Sequence, residues 1–324
     1  MAITLAEAKV GMADKVDQQV IDTFRRSSLL LDSLVFDDAI SPGTGGSTLT
    51  YGYVQLKTPS TAAVRTINSD YTAGEAKREK KTASAVIMGG SFEIDRVLIG
   101  TAGAVDELAF QMEQKVKATS NYFSNLVING TSASTGTYKD TFDGLANLLK
   151  NADTAITSAV DLTDMSNSDD FLDELDAFIS CLDGKPTMLL MNEKMLTKVR
   201  SAARRAGYYT RSEDAFGRQV EYYNGIALMD AGKYYDGTNT IDIIPTSAAT
   251  TTAEGATDIY AVRIGLDGFH GISPTGNKII STCYPDLNAP GAVKKGDVEL
   301  VAGVVLKNTR AAGVLKGIKI VPKK

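Results

Sequence analysis

The run TAGAVDELAFQMEQKVKATSNYFSNLVI, residues 101–128, followed by Asn129-Gly130, decides how the rest of the chain is read. Val105, Leu108, Ala109, Met112, Val116, Thr119, Phe123, Leu126 and Val127 recur every three or four residues and share one helical face. Asp106 and Glu107 stand near the start and Lys115 and Lys117 further along, as the helix dipole favours. Asn129-Gly130 is a C-terminal stop. At 1.5 Å per residue the run makes a rod of roughly 40 Å, long enough to be the backbone of a flat body.

Upstream, residues 5–36 read as a helical arm, with Ala6, Val10, Ala13, Val16, Val20 and Phe24 on a narrow apolar stripe that must dock on something. Ser41-Pro42-Gly43-Thr44-Gly45-Gly46 breaks it. From Ser47 the period becomes two, with Leu49, Tyr51 and Tyr53 alternating against Thr48, Thr50 and Gly52. A second strand pattern spans Thr82 to Met88 and resumes at Phe92 and Ile94, and the paired Gly89-Gly90 predicts a bulge or bend. Between the two lies a charged tip with Asp70, Glu75, Lys77, Arg78, Glu79, Lys80 and Lys81. A lone hairpin is marginal in water, so this excursion is expected to rest on another molecule.

Downstream, Phe142 to Leu149 is a short apolar segment and residues 169–182 are helical. Lys185 to Met191 is an apolar strand, and Asn192 caps a helix through Val199 and Ala203. Val220–Tyr223, Asn224-Gly225 and Ile226–Met229 form a hairpin with a type I′ turn. Together these predict an α/β module over about 185–270. Asp297 to Asn308 is a strand apolar on both faces, and Ala311 to Ile318 closes the chain.

Composition narrows the chemistry. The 324 residues carry 34 basic and 39 acidic side chains, a net charge of −5, one histidine and two cysteines. That balance disfavours wrapping nucleic acid by neutralising phosphates. So few soft ligands leave little material for zinc, copper or haem, and no metal or cofactor is expected. Cys181 and Cys283 are isolated and expected to be buried. The N-terminus does not read as a secretory signal, and no stretch is long enough for a membrane helix, so no membrane partner is expected. Gly43, Gly45 and Gly46 do not have dinucleotide spacing, and Gly89-Gly90-Ser91 has no nucleophile-elbow glycine after the serine. His270, in Asp267-Gly268-Phe269-His270-Gly271 with Ser273 nearby, is placed in a Gly-rich turn and read as structural. Asp169, Asp170, Asp173, Glu174 and Asp176 read as a solvated helix face, not a cation site. Two basic clusters remain as candidate inter-subunit contacts. One is Lys77, Arg78, Glu79, Lys80 and Lys81; the other is Arg204 and Arg205, near Arg200, Arg211, Tyr208 and Tyr209.

The order of these parts resembles the major capsid protein of tailed bacteriophages, the Hong Kong 97-type shell fold. Phe142-Asp143-Gly144-Leu145 looks like that family's segment after its spine helix. Met191-Asn192-Glu193-Lys194-Met195-Leu196 resembles its strand-to-helix step into the axial domain. Ile259 to Gly265 and Val301 to Ile318 are similar to its closing strands.

The resemblance implies an α+β fold with an N-terminal arm over 1–45 and an extended E-loop hairpin over 46–97. It implies a peripheral domain over 98–184 with the spine helix 101–128, an axial domain over 185–270, peripheral strands over 271–312 and an axial segment over 313–324. The implied function is a non-enzymatic shell of hexamers and pentamers around a double-stranded DNA genome, assembled in the host cytoplasm. Its implied partners are other copies of the chain, with scaffolding, portal and decoration proteins. The alternatives are an encapsulin-type compartment and, from another class, a hydrolytic enzyme using His270.

Overall fold

The computed structural model describes residues 30, 33–37, 49–58, 60–101, 107–207, 210–213, 219–274 and 280–323. Most of the predicted arm helix lies outside them. Two sheets share one helix. In the first, the long strand β15 (Val293–Leu306) pairs antiparallel with β4 (Val86–Asp95) and β14 (Ile280–Cys283) over its first part, and with β13 (Phe269–Ile272) over its last residues. The short β1 (Phe36–Asp37) adds in parallel to β13.

The second sheet has seven strands in the order β5 (Ala155–Thr157), β16 (Ala312–Val321), β12 (Gly255–Val262), β6 (Met188–Met191), β9 (Ile226–Asp230), β8 (Gln219–Tyr223) and β7 (Thr210–Glu213). Outside both stand the hairpin of β2 (Thr50–Thr58) and β3 (Lys77–Ser84) and the antiparallel pair of β10 (Lys233–Tyr235) and β11 (Thr240–Asp242).

After the short helix α1 (Arg96–Thr101), the long helix α2 (Glu107–Asn129) joins the two sheets. Its last turns are buried on every side: Phe123, Leu126, Val127 and Ile128 share one core with Leu300, Ala302 and Val304 of β15 and with Leu190, Val262 and Val314 of the second sheet. Small polar side chains let the helix pass through this crowded layer. Thr119 and Ser124 donate back to the carbonyls of Lys115 and Ser120, and Asn129 donates to the Ile243 carbonyl at 2.8 Å.

On the far face of the second sheet, α4 (Ser168–Ser180) and α5 (Glu193–Arg205), which follow the one-turn α3 (Leu145–Leu148), bury Phe171, Leu175, Phe178, Met195 and Val199. With both faces covered, successive residues of β6 enter different cores, Leu190 into one and Leu189 into the other, so the strand is apolar throughout. Asn192 then turns strand into helix: its Oδ1 accepts from the Met195 amide at 2.8 Å while its Nδ2 donates to Thr257 Oγ1 at 2.8 Å.

Several expectations change. The long helix begins at Glu107 within the described residues, not at Thr101, which ends α1; Asp95 Oδ1 accepts the Val97 amide at 2.8 Å and starts that earlier turn. Residues 36–37 form a strand where helix was expected through residue 36, because the edge of β13 bonds them: Gly271 donates to the Val35 carbonyl and Ser273 to that of Asp37. Gly271 makes this docking feasible, since a Cβ there would lie 2.5 Å from the Phe36 ring.

The excursion ends at Ser84. From Val86 the chain is already sheet, and β4 runs unbroken through Gly89-Gly90 in a continuous ladder with β15, with no bulge. Gly89 answers to close approach instead: a Cβ there would sit 1.9 Å from the Val298 carbonyl oxygen. Residues 155–157 and 168–180, grouped by sequence with the spine, pair with β16 and pack on the second sheet. Residues 269–270, grouped with the α/β module, lie in the first sheet. Cys181 and Cys283 are both exposed, one just after α4 and the other ending β14.

Three substitution results are expected by denaturant unfolding of the unassembled chain. Gly89→Ala should destabilise by about 1–3 kcal/mol through overpacking. Gly90→Ala, whose nearest neighbour is the flexible Lys115 Nζ at 3.5 Å, should stay within about 0.5 kcal/mol of the parent. Phe123→Ala, opening a cavity between the sheets, should cost about 3–5 kcal/mol.

Candidate inter-subunit surface

The β2–β3 hairpin has two faces because side chains alternate along a strand. Tyr51, Tyr53 and Gln55 point to the body, and Val54 and Leu56 point away. Tyr51 and Tyr53 pack on Ile272 and Val305 of the first sheet. Gln55 Nε2 donates to the Lys307 carbonyl at 2.9 Å, and Tyr51 Oη donates to Asp37 Oδ2 at 3.1 Å. Lys307 Nζ stands 5.4 Å from the centre of the Tyr51 ring, a cation–π contact. The root of the hairpin therefore rests on its own chain, which corrects the expectation that the whole excursion needs another molecule.

The outer face is different. Val54 and Leu56 are 62% and 60% exposed. Their cross-strand partners are Lys80 and Arg78, so apolar and cationic side chains alternate on one exposed ribbon. Residues 60–76 form the true tip, without strand pairing. A turn at Thr66–Ser69 has Asn68 at φ 67°, and Arg65 lies 5.5 Å from the centre of the Tyr71 ring. Val64 and Ile67 there are 100% and 91% exposed.

The charged run Lys77–Lys81 is thus strand, not tip, because every one of its residues pairs with β2 and leaves the chain reversal to the residues before it. Sequence reasoning fixed on these charges and missed Val54, Leu56, Val64 and Ile67. The signal was present in the alternation of Tyr51, Tyr53 and Gln55 against Val54 and Leu56.

Arg204 and Arg205 are exposed in the last turn of α5, on the second sheet's layer, and so on a different part of the molecule from the hairpin cluster. Arg205 Nη1 donates to the Met165 carbonyl at 2.9 Å, and the neighbouring Arg200 pairs with Glu221 at 2.8 Å. Arg211 lies in β7, and Tyr208 and Tyr209 lie outside the described residues. Asp169, Asp173 and Asp176 line an open cleft of about 740 Å³ with Leu172, Gly207 and Tyr223. Asp176 accepts the Tyr223 hydroxyl there at 3.0 Å. No cluster of three metal-ligating side chains occurs among the described residues.

His270 is in strand β13, not in a turn, because it continues the ladder opposite Val305. It and Ser273 are completely buried, so neither side chain opens onto solvent in this conformation.

Comparison with known proteins places these features. No curated protein matches the sequence. Among solved structures, the encapsulin of the holo-SrpI complex from Synechococcus elongatus PCC 7942 superposes with a TM-score of 0.67 at 12% identity, covering 100% of this chain and 99% of that one. The capsid of a native GTA particle gives 0.61 at 12% identity, covering 94% of each chain. A chain of Mycobacterium phage Bobi gives 0.58 at 13% identity, covering 98% of this chain and 99% of that one. At such identities these likenesses speak for the fold, a Hong Kong 97-type α+β capsid fold. The family model described as SU10 major capsid protein matches residues 17–226, well over half of the chain. The chain belongs to the SU10 major capsid protein family and is a shell-forming capsid protein of the virion.

Proposed function

We propose that this chain builds hexameric and pentameric rings that close into an icosahedral shell around a double-stranded DNA genome, without enzymatic activity. The observation that carries the reading is the ribbon of Val54, Leu56, Arg78 and Lys80, which leaves the body with its apolar side chains uncovered. A two-stranded ribbon exposing such residues is an association surface rather than a finished fold. In this reading the hairpin crosses onto a neighbouring copy, and Lys77, Arg78, Glu79, Lys80 and Lys81 set its register through charge. The second sheet with α4 and α5, spanning most of 185–270, faces the ring centre as the axial domain, and Arg204 and Arg205 meet the adjacent copy there. The first sheet and α2 form the peripheral domain.

A net charge of −5 suits an envelope that encloses DNA without gripping it. Assembly takes place in the host cytoplasm, with separate scaffolding, portal and decoration proteins as partners. The superposition on an encapsulin supports a second reading, a shell around a protein cargo. Purified shells holding nuclease-protected DNA favour the first reading, and a co-purifying enzyme favours the second.

Two variants test the ribbon. Deleting residues 60–75 removes nearly all of the tip and leaves the β2–β3 ladder; it should abolish shells in electron micrographs while circular dichroism stays close to the parent's. Intact shells from that deletion would overturn the proposal. The double variant Arg78→Glu, Lys80→Glu should slow assembly at low salt more than at high salt, as rim charges do.

A further inference from the structure

His270 is the chain's one histidine, and it sits completely buried beneath the root of the hairpin. Neither ring nitrogen has a hydrogen bond of good geometry, although nearly all buried polar atoms in folded proteins are paired. The ring meets Tyr51 edge to face, with centroids 6.1 Å apart. Its strand neighbour Ile272 and its cross-strand partner Val305 form the floor on which Tyr51 and Tyr53 lie.

We propose that His270 is a proton-operated latch on the hairpin root: neutral, it lets the two tyrosines seat against the first sheet, and protonated, it unseats them. An imidazolium here would be a desolvated charge carrying two N–H donors with little to receive them. The charged and titratable groups around it come from four segments. Lys307, following β15, repels a second cation. Asp37 of β1 attracts one, but its Oδ2 already accepts Tyr51 Oη at 3.1 Å and lies 3.8 Å from Lys307 Nζ. Tyr51 of β2 faces the ring with its edge-to-face contact, and Asp267 and the Gly268 backbone, in the turn before β13, pull weakly toward protonation.

Burial first, and Lys307 second, hold the imidazole below its ordinary pKa while the root is seated. Once unseated, the ring meets water and returns toward its ordinary value near 6.5. The open state therefore binds more protons, and seating, fully favourable above about 6.5, weakens as pH falls through that value. This latch is independent of where the outer ribbon docks, so its failure would leave the capsid reading intact.

The test uses the full-length unassembled chain. Histidine-selective isotope labelling yields a single resonance, since there is one histidine. Its titration midpoint should fall below about 6.5. Hydrogen exchange at the amides of residues 50–56, corrected for its intrinsic pH dependence, should accelerate on acidification by up to about tenfold per pH unit, the limit for one proton. In His270→Gln, and in His270→Leu as a second variant, that acceleration should vanish. A resonance titrating at or above 6.5, or an exchange profile independent of the histidine midpoint, would overturn the proposal from the parent protein alone. The same acceleration in either folded variant would overturn it as well.

Discussion

Everything in this molecule hangs on the burial of the last turns of one helix between two sheets. Phe123, Leu126, Val127 and Ile128 fill a single core to which β15 contributes from one side and β6, β12 and β16 from the other. An ordinary surface helix buries one stripe, whereas the end of α2 buries its whole circumference. The two sheets consequently cannot slide past each other without opening a cavity, and packed interiors resist that strongly. In the proposed shell, where neighbours would meet surfaces carried by both sheets, this stiffness would hold those surfaces in register.

The hairpin shows the complementary principle. One strand carries two instructions at once: Tyr51, Tyr53 and Gln55 bind it to its own body, while Val54 and Leu56 face outward. Because side chains alternate, docking the root on the first sheet necessarily presents the second set to solvent. The same geometry puts Arg78 and Lys80 on the outer face and pairs apolar contact with charge. It also brings His270, Asp37, Tyr51 and Lys307 together from four separate segments at the place where the excursion leaves the body.

Much of the fold was legible because it is written in short-range periodicity. The stripe from Leu108 to Val127, the cap at Asn192 and the Asn224-Gly225 turn each depend on residues within a few positions of one another. In the structure Asn224 and Gly225 take φ values of 48° and 68°, as that turn requires. What was misread depended on distant neighbours. Gly89 signals closeness to Val298, not a bulge, and nothing within β4 reveals a carbonyl contributed two hundred residues later. Cys181 and Cys283 were expected inside on residue type alone, yet each falls where an element ends at the surface.

By itself, the sequence determined the stripe of the long helix, the Asn192 cap, the Asn224-Gly225 hairpin and the family that the order of parts resembles, since local pattern and turn chemistry set them. The tertiary structure alone decided which residues share a core and which face outward. It moved the charged run Lys77–Lys81 from tip to strand, placed His270 beneath the hairpin and left Val54 and Leu56 uncovered. Those outcomes follow from strand register and long-range burial, which couple residues far apart in the chain. Local periodicity carries no term for that coupling.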